Sequence, residues 1–230
     1  MADVKADVEY KINLDGKSFL LDRKKYSLRL NIMEYNSLTV ASKKMGISYK
    51  TALNYIDKIE EALDVKIVDT TKGGIGGGGG AKLTDESLSI VKECKKINAI
   101  MELHTNVNEI ETKVVAIDEV KGIMTIKKDN FKINAPLNRE YKIGDVLLAL
   151  ISYDNIVLML EPQTSSIRNI MKGNIVEMKL EGEIIRVKID VGGVFIFCDV
   201  TVSAEKELNL SLGREIYLGF KAISVATLKL

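Results

Sequence analysis

Lys50, Thr51 and Asn54 fall within five residues of one another and carry side chains suited to reading a nucleic acid. An amide pairs with a base edge, a hydroxyl with base or phosphate, and an ammonium with guanine or phosphate. On a helix they lie opposite Ala52, Ile56, Ile59 and Leu63, whose spacing of four, three and four makes an apolar stripe for a core. Lys58 extends the polar face towards phosphate or solvent, and Tyr49 and Tyr55 stand beside it.

A reading helix needs a platform. Residues 39–45 suit a preceding short helix that ends at Gly46, where the turn requires positive φ, and Ser48 suits the next N-cap. Downstream, residues 66–69 and 81–83 read as a hairpin whose loop, 73–80, holds seven glycines in eight positions. That order of parts predicts a winged helix-turn-helix. The loop contains GxGxxG at 74–79, but no βαβ unit with a following acid accompanies it, and no GK[ST] follows. It is expected to be a wing lying against the sugar-phosphate wall, a plain linker being the alternative. The candidate DNA-contacting residues are Thr39, Ser48, Tyr49, Lys50, Thr51, Asn54, Lys58, Lys72 and Lys82. Net charge is only +1, yet residues 23–82 carry eleven Lys or Arg against six acids. Such a local excess is the expected footprint of phosphate contact.

The neighbouring segments read as support. Residues 8–21 alternate in polarity about Asp15-Gly16, which predicts a leading hairpin. Asp22 suits the N-cap of a first helix, and Thr84, followed by Asp85 and Glu86, that of a long one. Ile90, Cys94, Ile97 and Met101 form a stripe longer than a small domain covers, so the helix at 84–103 is expected to pair with its copy in a homodimer. Packing on its own domain is the alternative. Cys94 and Cys198 lie far apart without a CxxC or histidine partner and are expected to be reduced, buried thiols. His104, the single histidine, is assigned no chemistry. No nucleophile–base set, metal cluster or paired-acid constellation is present, so no enzyme is expected. No apolar run approaches the roughly 18 residues of a membrane span, and residues 1–22 lack a signal-peptide layout, so a cytoplasmic protein without membrane contact is expected.

After Thr105 the chain turns into short β-rich runs separated by turns, and the pattern recurs from Gly173. Both halves open after an asparagine (Asn108, Asn169) and place a glycine before a buried strand (Gly144, Gly213). This predicts two copies of a small five-stranded, OB-like barrel. The fold class expected is α+β multidomain: a winged helix with its dimerisation helix at 1–103, then barrels at 104–163 and 164–230.

Residues 39–84 resemble the winged helix of the molybdate-responsive regulators, the ModE family, through GISYKTA at 46–52 and GGGGAKLT at 77–84. The C-terminal half resembles that family's paired Mop (TOBE) domains through SIRN at 166–169, KG at 172–173 and KAISV at 221–225. The resemblance implies a homodimeric transcription regulator that binds an operator in double-stranded DNA under control of molybdate or tungstate, with no organic cofactor. It implies an oxyanion site drawn from Ser166, Arg168, Asn169, Thr201, Ser203, Lys221, Ala222 and Ser224, the last two hydroxyl- or amide-bearing loops included. A buried dianion needs such cations, hydroxyls and N–H groups to offset its desolvation. In the first copy, Val107 and Ser152 stand where the family's arginine and lysine are expected. An oxyanion storage or buffering protein, or a regulator of another anion, are the alternatives.

Overall fold

The computed structural model describes residues 8–71, 80–103 and 105–230. Lys72, residues 73–79 of the glycine loop, and His104 lie outside the described residues. The chain divides into two compact units at Ile100/Met101.

The first unit opens with an antiparallel hairpin, β1 (Tyr10–Leu14) and β2 (Lys17–Leu21), turned at Asp15 and Gly16 with φ of 48° and 80°. Two successive positive φ values are what a two-residue hairpin turn requires. The Asp22 carboxylate accepts the Lys25 N–H and starts α1 (Arg23–Tyr35). Ser37 caps α2 (Leu38–Lys44), Gly46 at φ +66° makes the turn, and Ser48 accepts the Thr51 N–H to start α3 (Tyr49–Leu63). A short ladder, β3 (Val68–Thr70) with β4 (Ala81–Leu83), leads to α4 (Asp85–Leu103). Thr84 caps α4 and also donates to the Lys66 carbonyl, tying helix to hairpin. The α3 stripe is fully spent on the core: Ala52, Ile56, Ile59 and Leu63 are all buried. Burying each larger aliphatic stabilises by about 1.5–3 kcal/mol. The α4 stripe is different, because Ile90 and Cys94 are buried while Ile97, Ile100 and Met101 remain 44%, 59% and 47% exposed.

Arg29 departs from the charge reading of residues 23–82. It is 2% exposed on α1, and among the described residues its Nε and Nη1 have no hydrogen-bond partner. It adds nothing to a phosphate-facing surface, and Lys25 and Lys66 are already paired with Asp22 and Asp69. Burial pulls the guanidinium down to about 10 from 12.5, so it stays charged at neutral pH. Because folding lowers this pKa, the burden is present in full below about pH 10 and eases only above it. We expect Arg29→Met to stabilise the unit by about 2 kcal/mol at pH 7, seen as a higher urea midpoint. An unchanged or lowered midpoint would show that the guanidinium is satisfied.

The second unit is two five-stranded antiparallel sheets around one core. The first half supplies β5 (Val107–Asp118), β6 (Ile123–Lys128), β7 (Phe131–Pro136), β8 (Val146–Ser152) and β9 (Val157–Met159). The second supplies β10 (Asn169–Glu181), β11 (Ile184–Val191), β12 (Val194–Thr201), the short α5 (Val202–Glu207), β13 (Glu215–Phe220) and β14 (Val225–Lys229). The internal repeat is carried to fine detail. β5 bulges between Val114 and Ala116, and β10 between Ile175 and Glu177. Gly144, at φ +99°, donates to the Val114 carbonyl, and Gly213, at φ +78°, to that of Ile175.

Closure departs from two self-contained copies. The sheet orders are β14-β8-β5-β6-β7 and β12-β11-β10-β13-β9, so each half gives its last strand to the other half's sheet. Strand β9 pairs with β13, and β14 with β8. Period-two polarity says which face of a strand is buried, not which neighbour it takes, so this exchange has no sequence signal. Its consequence is that neither sheet is complete without both halves.

Candidate functional site

The exchange creates two equivalent junctions between the sheets, each built on a buried asparagine. At the first, Asn108 on β5 donates to the carbonyls of Ile151 and Phe197 and accepts the Phe197 N–H at 2.7 Å. At the second, Asn169 on β10 accepts the Asn134 N–H at 2.7 Å and donates to its carbonyl at 2.9 Å. In both cases a side-chain amide satisfies the backbone of an edge strand in the other sheet. Asn169 is 3% exposed with its amide spent in this way, so its side chain is a structural clamp rather than a free donor.

The ladders place the remaining residues. Asn169 pairs with Phe220, so Arg168 and Lys221 stand side by side one residue beyond that pair. The corresponding pair in the first half is Val107 and Ser152, beyond Asn108 and Ile151. The second junction therefore ends in two cations, and the first in an aliphatic and a hydroxyl. Arg168 is exposed, and its Nη1 donates to its own loop at the Ser165 carbonyl, 2.7 Å away. Lys221 is exposed too, and among the described residues no carboxylate pairs with either. The turn Ala222–Ser224 packs against β7, with Ala222 buried and Ser224 half-buried. Asn134 of β7 also donates to the Arg168 carbonyl, so the two motif segments meet on that strand. Ser166 is exposed in the loop before them. Two unpaired cations with hydroxyls and turn N–H groups at hand can hold a small dianion.

The first junction is filled instead. Its turn, Tyr153–Asn155, packs against β12, and the Tyr153 ring stacks on Phe197 at 5.4 Å. Arg186 lies 4.9 Å from the Tyr153 centroid, pairs bidentately with Asp199 at 2.9 Å, and reaches Glu181 at 2.7 Å. Ser152 donates to Asp154 and to the Asn106 carbonyl. Tyr153 and Phe197 occupy the positions that Ala222 and Asn134 hold in the second junction. An aromatic stack and a neutralised arginine thus fill this junction, and Lys188 lies over the Phe197 ring at 5.5 Å.

Thr201 and Ser203 are not brought to Arg168. Thr201 pairs with Ile184, next to the end of β10 farthest from Asn169, and its hydroxyl caps α5 through the Ala204 N–H. Ser203 donates to Glu207. Lys172 of the KG pair is held by Glu215 and lies over the Tyr217 ring. Gly173 has a plain steric role: a Cβ there would meet the Asp190 carbonyl oxygen at 2.6 Å. Cys198 is buried, and burial pushes its thiol up to about 12, so it is unreactive at neutral pH.

In the first unit, Ser48, Lys50, Thr51 and Asn54 line one shallow depression with Leu53 and Asp57. Tyr49 and Lys50 are exposed at the α3 N-terminus, whereas the hydroxyls of Ser48 and Thr51 bond each other at 2.8 Å. Lys58 is exposed further along α3, and Thr39 is exposed on α2. Lys82 on β4 is exposed opposite Asp69. Tyr55 is half-buried, and Lys25 of α1 lies over its ring.

Residues 165–227 match the TOBE domain family. The molybdate/tungstate import ATP-binding protein WtpC of Pyrococcus abyssi is 29% identical over 100 residues, 44% of this chain and 28% of that protein. The molybdenum import ATP-binding protein ModC of Mannheimia succiniciproducens is 35% identical over 80 residues, 35% of this chain and 23% of that protein. The chain thus spans about a quarter of the length of these two curated relatives. Among solved structures, the cytoplasmic molybdate-binding protein ModG matches 52% of this chain and 94% of its own, with a TM-score of 0.48 and 23% identity.

Proposed function

We propose that the chain is a DNA-binding transcription regulator whose C-terminal sheets bind molybdate or tungstate. The observation that carries the oxyanion half is the ladder end at which Arg168 and Lys221 stand together unpaired, inside the segment that matches the TOBE domain. The named ligands of the transport relatives, molybdate and tungstate, agree with it. Ser166, Ser224 and the backbone of the Ala222–Ser224 turn complete the shell, and Asn169 holds the frame. The Val107/Ser152 junction binds no anion, which gives one oxyanion per chain. Thr201 and Ser203 reach an anion only if it is one held by another copy.

The DNA half rests on the first unit. Three helices followed by a two-stranded ladder fit a winged helix, with the exposed start of α3 as its reading surface. The uncovered Ile97, Ile100 and Met101 of α4 fit a homodimer seam, and a two-fold protein reads a two-fold site. Among the described residues no helix is long and apolar enough to cross a membrane. The anion controls DNA affinity only through unequal affinity for the competent and incompetent states.

Binding to duplex DNA from a molybdate-transport promoter, measured with and without molybdate, tests this reading. We expect an anion-dependent change in affinity, and Lys50→Ala to weaken binding and reduce the slope of log affinity against log salt by about 0.9. An unaltered slope would remove Lys50 from phosphate contact. One observation favours oxyanion buffering instead: the family match lies wholly in the C-terminal half. Saturable anion binding with no DNA affinity at any anion concentration would select that reading.

A further inference from the structure

The outward face of the first sheet carries three lysines in a single cross-strand row. Lys113 on β5 pairs with Lys127 on β6, and Lys127 with Lys132 on β7, so all three side chains share one face. Lys113 and Lys132 are exposed and Lys127 is half-buried; among the described residues none has an ion-pair partner. Like charges directly opposite one another oppose sheet formation. The fold does not demand them, because the corresponding row of the second sheet is Asn174, Asp190 and Phe195. Edge protection does not explain them either: Lys113 and Lys127 lie on inner strands, and Phe195 holds the matching edge position on β12.

The row borders the Arg168 junction. The next residues on that face are Ala116, Thr125 and Asn134, all uncharged. Asn134 is the residue whose amide holds the Arg168 carbonyl and whose backbone is clamped by Asn169. Lys132 and Asn134 are thus two residues apart on β7, about 7 Å along the strand. The carboxylates on the same face of β5 are Glu111 and Glu109, on the other side of the row from Asn134, and Asp118, beyond Ala116, which is paired with Lys121. Among the described residues, no carboxylate of β5, β6 or β7 stands on that face between the row and Asn134.

We propose that Lys113, Lys127 and Lys132 form an electrostatic collecting surface that draws a small tetrahedral dianion to the Arg168–Lys221 site without becoming part of its inner shell. This rests on the oxyanion reading of that junction. A row of fixed charge raises the local concentration of an oppositely charged ligand and speeds its arrival, and salt removes the effect. Lysine suits the task, since its strongly hydrated ammonium attracts without the geometric fixation of a guanidinium.

The test is calorimetric titration of the full chain with molybdate at about 10 mM and about 1 M salt, where the Debye length falls from roughly 30 Å to 3 Å. The proteins are the wild type, K113Q/K127Q/K132Q, and K24Q/K43Q/K44Q as a control of equal net charge. We expect the row variant to bind about fivefold more weakly at low salt, to equal the wild type at high salt, and to keep the same stoichiometry. Stopped-flow kinetics should put the whole difference in the association rate. Equal low-salt affinities, or an equal loss in the control, would overturn the proposal. A deficit that persists at high salt would overturn it too, because it would make the row a direct ligand. So would a row variant that loses DNA affinity but no molybdate affinity, since the row would then serve a phosphate backbone. Absence of saturable molybdate binding by the wild type is a different result, and removes the oxyanion reading itself.

Discussion

Arg168→Ala is expected to weaken molybdate binding about a hundredfold while leaving the urea midpoint of the protein unchanged. The two halves of this expectation have separate physical origins. The Arg168 side chain is exposed and, among the described residues, bonds only to carbonyls of its own loop, so its removal breaks no element of the core. The frame on which it stands is held by the Asn169–Asn134 clamp, which the substitution does not touch. Its contribution to a bound dianion is large because a planar guanidinium offers two parallel donors to two oxyanion oxygens. Removing one partner of such a desolvated charge pair costs about 2–5 kcal/mol, and 2.7 kcal/mol corresponds to a hundredfold in Kd. Lys221→Ala should cost less, about tenfold, since an ammonium acts as a point charge. The double variant should fall short of the product of the two, because both act on one ligand. Titration calorimetry measures affinity and urea melts measure the fold; wild-type affinity in Arg168→Ala would remove the residue from the site.

Gly173→Ala is expected to lower stability by about 3 kcal/mol, the upper part of the range for overpacking a closed structure. The added Cβ would lie 2.6 Å from the Asp190 carbonyl oxygen, 2.6 Å from the Ile189 Cγ2 and 3.1 Å from the Val191 Cγ2. A backbone oxygen cannot turn aside as a long side chain can, so the β10–β11 pairing must shift. The position precedes the bulge between Ile175 and Glu177, where β10 bends across its neighbour. Because Asn169 lies on the same strand, molybdate affinity should fall together with stability, unlike in Arg168→Ala. An unchanged urea midpoint would show that β10 has slack at this point.

The contrast between these two residues shows what was legible in the sequence. Local rules found the caps at Asp22, Ser48 and Thr84, the turn at Gly46 and the buried stripe of α3, because each is set by residues a few positions apart. The repeat was readable through Asn108 and Asn169, and through Gly144 and Gly213, but the reason for the asparagines was not. Their partners, Phe197 and Asn134, are distant in sequence and belong to the opposite sheet. Arg29 reads as surface charge because nothing in its neighbourhood signals burial, which arises when α1 meets the rest of the core. Arg168 and Lys221 were linked by a family resemblance alone. The register adds a physical reason to group them: each lies one residue beyond the Asn169–Phe220 pair that ends the ladder of two adjacent strands. The exchange of β9 and β14 has no sequence signal, and neither has the β11–β12 register that sets Thr201 at the end of the sheet far from Asn169.

The most direct test of the account is calorimetric titration of the intact protein with molybdate, with sulfate as the comparison anion. The second junction presents Arg168 and Lys221, whereas the first is closed by Tyr153, Phe197 and the paired Arg186. We expect saturation at one molybdate per chain, with affinity about a hundredfold lower in Arg168→Ala. Two molybdate ions per chain, or one bound with undiminished affinity after the loss of Arg168, would contradict this.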